Sequence, residues 1–415
     1  MATPTTPTLW RHRDFLRLWT AQTISVFGSQ FTNLALPLIA AVSLRASPAQ
    51  MGILTAAETA PFLLIGLFAG VWVDRLRRRP ILITGDIGRA LVLGVIPLTA
   101  LTGVLRIPHL YVIGFCYGVL TVFFDVAYQA YLPALVSRAH LVEGNSKLEA
   151  SRSTAQVAGP GIAGVVIQAI SAPLVILFDA LSFLFSALFI GLIRSREDRP
   201  DAVRAPMLAE VREGLGVVFG NQMLRSIAGC TATSNFFHAA IGALFILFAI
   251  RELKLTPATI GIVFSVGNVG ALAGALSASM LARRFGVGRV IVAAPLLAGI
   301  GTLPVVFATV GFALPPLVFG AFLGAMANPI YNINQVSLRQ AIVPLRLQGR
   351  MNATMRFVVW GTIPLGGLAG GVLGQFLGLR PAIAIGAAGS LLAFLWVLRS
   401  PVRALSRIPE PAVEQ

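Results

Sequence analysis

Gly70-Val-Trp-Val-Asp74-Arg75-Leu-Arg77-Arg78-Arg79-Pro80 closes a long apolar run: one acid appears and four arginines follow within five residues. A membrane helix looks like this where it leaves the hydrocarbon on the cytoplasmic side. Working outward, the whole chain supports that reading. Charged residues make up 12% of the 415 residues, hydrophobic residues 56%, and the mean hydropathy is +0.82. A soluble chain of this length needs far more polar surface.

The apolar residues come in runs of about 20, enough to cross a hydrocarbon core of roughly 30 Å as helices. Inside a bilayer the backbone must satisfy its own hydrogen bonds, so helices follow from run length. The roughly 10-residue alternating segments of a barrel are absent. The predicted spans are 15–44, 48–73, 80–104, 109–136, 149–171, 173–193, 223–250, 257–281, 288–310, 314–338, 354–378 and 381–398. The fold class is therefore an all-α membrane protein of twelve spans.

The formal charge of +16 is topological rather than a sign of nucleic-acid binding. With an even number of spans both ends share one side. That side collects 26 basic residues, the opposite side has Arg45, Arg106, Arg251, Lys254 and Arg380, and Arg89 lies within a span. This excess places both termini in the cytoplasm. Cys116 and Cys230 both fall inside spans and read as small packing residues, not as a disulfide or metal framework. The polar, Thr/Pro-rich start is unlike a cleavable signal peptide.

The two halves overlay. Ser47-Pro48-Ala49-Gln50-Met51-Gly52 matches Thr256-Pro257-Ala258-Thr259-Ile260-Gly261; Arg152 and Pro160 match Arg356 and Pro364; Asp125-x-x-Tyr128 matches Asn328-x-x-Tyr331. Two six-helix halves follow, 1–193 and 223–415, with a ligand site between them near mid-membrane. The link, 194–222, has Leu208, Val211, Leu215 and Val218 at near-helical spacing, which predicts a short amphipathic helix at the interface.

In the opening stretch, the Gly-x-x-x-Asp-Arg-x-x-Arg-Arg spacing resembles the loop between the second and third helices of Major Facilitator Superfamily transporters. The resemblance implies a cytoplasmic latch made of Gly70, Asp74, Arg75 and Arg78, which Asp86 and Arg89, three residues apart on one helix face, would brace. A plain stop-transfer cluster is the simpler reading of the same arginines. The corresponding place in the second half, Ala278-Ser-Met-Leu-Ala282-Arg283-Arg284, has no acid, so any latch is one-sided. Ala158-Gly159-Pro160-Gly161-Ile162-Ala163-Gly164 resembles the helix-five motif of drug/proton antiporters, in which Gly159 and Gly164 allow close packing and Pro160 bends the helix. Phe123-Phe124-Asp125 through Leu132-Pro133, Leu177-Phe178-Asp179 and Gly349-Arg350-Met-Asn352 resemble the branch of macrolide-efflux and enterobactin-exporter-like proteins. That implies export from a bacterial cytoplasm, driven by protons, through the inner membrane. The branch often carries an acid in helix one where this chain has Gly28-Ser29-Gln30.

Mid-membrane charge is costly, about 2.5–3.5 kcal/mol on insertion scales, so its bearers are functional candidates. Asp125 lies roughly 16 Å deep at 1.5 Å per residue, and Glu58 roughly 24 Å before Asp74. With His238 these are the candidates for proton coupling or substrate; a carboxyl or imidazole satisfied by a neighbouring helix is the alternative for each. Asp179, on the more peripheral sixth helix, reads as structural. Candidate cavity residues are Asn33, Tyr128, Gln129, Asn235, Asn268, Asn328, Tyr331, Asn332 and Trp360.

The function these readings favour is a secondary exporter of amphipathic small molecules, of drug or siderophore type, working by proton antiport and alternating access as a monomer. A lipid or lysolipid transporter on the same scaffold is the alternative, and a non-transporting receptor a third. No phosphate loop and no hydrolytic, redox or metal constellation is found, so no enzyme activity, cofactor or nucleic-acid partner is expected.

Overall fold

The computed structural model describes residues 9–73, 75–137, 140–195, 197 and 207–409. Asp74, Arg138, Arg196 and the linker stretch 198–206 lie outside the described residues. The first half comprises α1 (Arg13–Leu38, continued by a π-turn to Ser43), α2 (Pro48–Leu64), α3 (Gly66–Val73), α4 (Arg78–Leu101), α5 (Ile107–Leu135), α6 (Leu141–Ile170) and α7 (Ala172–Gly191). After α8 (Met207–Gly220) the second half follows: α9 (Gln222–Arg251), α10 (Pro257–Phe285), α11 (Val287–Thr302), α12 (Pro304–Phe307), α13 (Leu314–Ile342), α14 (Leu345–Leu377), α15 (Leu379–Leu391) and α16 (Phe394–Leu398). Among the described residues, eleven helices are long and apolar enough to cross a membrane. The twelfth traverse is α2 plus α3, two pieces that meet at Ile65, whose N–H still donates to the Pro61 carbonyl.

Two boundaries differ from the run lengths in the same way. α6 begins eight residues before the predicted span and α14 nine residues before. Both extra stretches are polar; Lys147 pairs with Glu143 at 3.2 Å one turn apart, which supports a helix outside hydrocarbon.

The halves share backbone details that a duplicated frame requires. Arg45 and Lys254, neither of them glycine, both adopt positive φ, 51° and 56°, two residues before the matching N-caps Ser47 and Thr256. Proline follows each cap at the first helical position, where its missing N–H costs nothing.

The first and last described residues lie on one face, here the terminal face. Buried apolar clusters divide along the membrane normal. Near the opposite face one core spans both halves, joining Leu34, Met51, Leu110 and Phe183 to Leu244, Ile260, Leu317 and Ile383. Near the terminal face the cores separate: Phe15, Leu82, Phe124 and Tyr131 form one in the first half. Ile227, Ile291 and Leu338 form another in the second half, with Val218 of α8, Met351 and Met355 in a third. The halves are thus joined on the opposite face and parted on the terminal face.

Glycines make that junction tight. A Cβ on Gly371 of α14 would come within 2.8 Å of the Gly52 Cα on α2, and one on Gly164 of α6 within 3.1 Å of the Ala258 Cα on α10. Only glycine lets these backbones approach so closely.

Candidate functional site

Between the parted halves lies a cavity of about 1140 Å³. Its apex is apolar, lined by Met51, Leu54, Ile246, Val305 and Leu317. Its charged lining comes from the first half: Glu58, Arg89, Asp125 and Arg152. The second half contributes His238, Asn268 and Asn328, with no carboxylate and no arginine. Phe62, Tyr117, Phe245 and Phe264 add aromatic wall. A large apolar cleft with few convergent polar groups is the usual form of a small-molecule site.

The two cavity carboxyls differ. Glu58 lies ten residues into α2, roughly 15 Å from its opposite-face end. Its backbone carbonyl lies against Gly118 of α5 and its side chain against Gly114, where a Cβ would stand 3.0 Å from Glu58 Cγ. It makes no hydrogen bond or ion pair among the described residues. Asp125 lies ten residues, roughly 15 Å, from the terminal-face end of α5, nearer that face than Glu58. It has no hydrogen-bond partner either, but three cations act on it: Arg89, Arg356 and Arg152. Arg152 and Arg356 are the matched pair of the duplication, one from each half. Arg152 pairs with Glu149 at 3.3 Å, and Arg356 lies over Trp360 at 5.7 Å.

Arg89 sits in the cavity wall with its side chain almost fully buried. Its guanidinium pairs with Asp86 and is sandwiched between Phe124, at 3.9 Å, and Phe183, at 4.1 Å. Asp179, fully buried nearby on α7, accepts from Ser182 Oγ at 3.0 Å. The expected Asp86–Arg89 pair therefore exists, and it ties α4 to α5 and α7 about three turns inside the loop. Gly28 makes room for this cluster: a Cβ there would meet Asp179 Oδ1 at 2.7 Å.

Among the expected lining residues, Asn33, Asn268 and Asn328 do line the cavity, as do Glu58, Asp125 and His238. Asn268 donates to the Gln156 carbonyl across the halves at 2.5 Å. Tyr128 stacks on Phe124 and Gln129 is exposed. Asn235 donates to the Val359 carbonyl, Asn332 to Asn328 Oδ1, and the Tyr331 hydroxyl meets Thr231 Oγ1 at 2.9 Å. Trp360 meets Phe62 edge-on at 5.2 Å across the halves. Pro160 lines the cavity, while Gly159 takes the Gln30 side chain and Gly164 the start of α10.

In the opening loop, Gly70 is part of α3, and Arg75 and Arg77 are exposed. The Arg78 and Arg79 backbone N–H groups donate to Glu197 at 2.8 and 3.2 Å, so this acid caps α4. Arg78 Nη1 adds an ion pair with it at 3.2 Å. The sequence reading passed over Glu197 and also Asp14, which accepts from the Ser195 hydroxyl at 2.6 Å and from Arg17 at 2.7 Å. Both are acids set among arginines, and that adjacency is the signal that could have found them.

Twelve traverses in two pseudo-symmetric halves around one central cavity define a membrane transporter of the Major Facilitator Superfamily. Residues 3–413 match the family model described as a transmembrane secretion effector, and the chain belongs to that family. The chain is 28% identical over 367 residues to the multidrug efflux pump Tap of Mycolicibacterium fortuitum, covering 85% of this chain and 87% of the other. It is 22% identical over 274 residues to macrolide efflux protein A of Streptococcus pyogenes, covering 66% of each. In fold it is similar to a bacterial homologue of the iron transporter ferroportin. The TM-score is 0.77 with the inward-facing state, at 16% identity and coverage of 94% and 98%. With the outward-facing state it is 0.63, at 17% identity and coverage of 93% and 98%.

Proposed function

We propose that the protein is a proton-coupled exporter of amphipathic small molecules in the bacterial cell membrane, working as a monomer by alternating access. The observation that carries this is the cavity itself: wide, largely apolar, closed at the opposite face, and holding two carboxyls without hydrogen-bond partners. The excess of basic residues on the terminal face supports placing that face in the cytoplasm, so the cavity is open inward. The efflux pumps among its relatives support the outward direction of transport.

Glu58 sits deepest and has no cation beside it, so it takes either a proton or a positively charged group of the substrate. Asp125 stands nearer the terminal face. Closing the terminal face would carry Arg356 toward Asp125 and Arg152, so protonation of Asp125 sets how strongly that closure is held. His238, exposed to the cavity opposite, is a third carrier. Each proton or substrate shifts the populations of the two states only by its differential affinity for them.

The test uses everted membrane vesicles containing the protein and ethidium as the amphipathic probe. Ethidium uptake should follow an imposed inside-acid gradient and stop when nigericin collapses it. Uptake that persists unchanged without the gradient would overturn proton coupling, and no uptake of any amphipathic probe would overturn export.

A further inference from the structure

On the lipid-facing side of the first half, α4 and α7 leave a groove of about 400 Å³ between them. Its side chains are apolar: Ile83 and Ile87 of α4, and Leu184, Ala187 and Leu188 of α7, with Gly191 at its end. Ile83 and Ile87 are one helical turn apart, and Arg79 is one turn before Ile83 on the same face. The Arg79 guanidinium reaches across to the end of α7, where Nε donates to the Ile190 carbonyl at 3.2 Å and Nη2 to the Gly191 carbonyl at 2.5 Å. It therefore lies over the groove where the groove meets the terminal face, with three of its five N–H donors still free.

Among the described residues, charge around this end is mostly positive. Arg75 and Arg77 are exposed and have no partner among the described residues. The acid recorded beside them, Glu197, is used up by Arg78 and the α4 N-terminus. An apolar channel in the hydrocarbon region ends under guanidinium groups of Arg75, Arg77 and Arg79 that have no acid partner among the described residues. A neutral lipid has no use for that cluster. A peptide would leave its backbone largely unsatisfied along a strip whose side chains offer no hydrogen-bonding groups.

We propose that the α4–α7 groove is a binding site for an anionic phospholipid, acyl chain against Ile83, Ile87, Leu184 and Leu188, phosphate under Arg79, Arg75 and Arg77. Arginine suits the phosphate because its planar fork binds two oxygens at once. Bound there, the lipid would brace the loop that precedes α4 against α7. The inference stands on the surface of the first half and does not depend on the transport reading.

Gly191 provides a clean test. It lies at the mouth of the groove, and nothing stands within 4 Å of where its Cβ would be. Gly191→Trp therefore sets a bulky ring at the mouth of the groove with no clash at its Cβ. The purified full chain is titrated with phosphatidylglycerol and with phosphatidylcholine of identical chains, and retained lipid is counted by native mass spectrometry. Wild type should retain phosphatidylglycerol about tenfold better, as a few interfacial arginines can supply. Gly191→Trp and the pair Arg75→Gln/Arg77→Gln should each abolish the preference. Equal retention of the two lipids overturns the proposal. So does a preference that survives Gly191→Trp, which would mean diffuse charge attraction without a groove. Glycerol phosphate that competes as well as the intact lipid would overturn it too, by removing the role of the chains.

Discussion

The two halves of the cavity are built on one backbone and carry different chemistry. The positive-φ pair Arg45 and Lys254, the caps Ser47 and Thr256, and the early starts of α6 and α14 repeat between them. The charges do not repeat: the first half faces the cavity with Glu58, Arg89, Asp125 and Arg152, the second with His238, Asn268 and Asn328. What the frame duplicates is the means of closing one face against the other. What it leaves single is ionisable work, which needs a compensated core behind it. The first half has that core in Asp86, Arg89 and Asp179, with two aromatic rings against the guanidinium.

Removing the compensation should therefore have the largest effect. Arg89→Met leaves Asp86 and Asp179 buried without a cation, and breaking a buried pair in this way costs about 3–5 kcal/mol. Denaturant unfolding in detergent should register that loss. The exposed Arg152–Glu149 pair is the control, since Arg152→Gln should change stability by less than about 0.5 kcal/mol. Equal effects of the two substitutions would mean that the first half has no special core.

The next test strikes what the halves share. At Gly371, a leucine must displace the α2 backbone, whose Gly52 Cα stands 2.8 Å from the new Cβ. Overpacking of this kind costs about 1–3 kcal/mol. Because it acts where the halves join, it should also loosen the opposite face. A cysteine placed at Thr55 in a background lacking Cys116 and Cys230 should then react faster with a membrane-impermeant maleimide added from that side. An unchanged rate would show that this glycine contact does not seal the face.

Transport should separate the two cavity acids. Glu58→Gln and Asp125→Asn should each lower gradient-driven ethidium uptake about tenfold, equivalent to about 1.4 kcal/mol. They should differ when the gradient is absent. Asp125→Asn removes the cavity carboxylate that shares its wall with Arg152, so exchange of ethidium down its own gradient should change, whereas Glu58→Gln should weaken ethidium binding itself. Identical profiles for both variants would erase the distinction between the two acids.

The fold was largely legible because run length and charge asymmetry are one-dimensional properties, and a bilayer enforces both. The break at Ile65 was not legible. Pro97, Pro133 and Pro160 lie inside helices that run on, so an internal proline such as Pro61 does not by itself mark a break. The polar starts of α6 and α14 were missed because helix outside hydrocarbon is paid for by i,i+4 pairs and packing, not by apolar length. At the site, depth was readable from 1.5 Å per residue, and it brought Glu58, Asp125 and His238 into the cavity wall. Azimuth was not readable, since helices apolar on nearly every side carry little amphipathic stripe. Hence of the polar run on α13 only Asn328 faces the cavity, while Asn334 turns back to its own helix and Tyr331 to α9.

The smallest expected effect tests the repeat at its best-matched place. Ser47 and Gln50 form a reciprocal capping box: the Gln50 N–H donates to Ser47 Oγ at 3.2 Å and the Ser47 N–H to Gln50 Oε1 at 2.8 Å. In the second half Thr256 caps Thr259 at 3.3 Å, and the two hydroxyls bond each other at 2.9 Å, so no side chain reaches back to the Thr256 N–H. Thr256 is also exposed, where water can replace a lost cap, whereas Ser47 is half-buried beside the junction of the halves. Ser47→Ala should therefore cost about 1 kcal/mol and Thr256→Ala nearer 0.5 kcal/mol. A double-mutant cycle over Ser47 and Gln50 should show positive coupling, since neither bond of the box outlasts the loss of its partner. Equal costs at the two caps, with no coupling, would mean that the frame is symmetric in energy as well as in backbone, and that the halves differ only in the side chains that line the cavity.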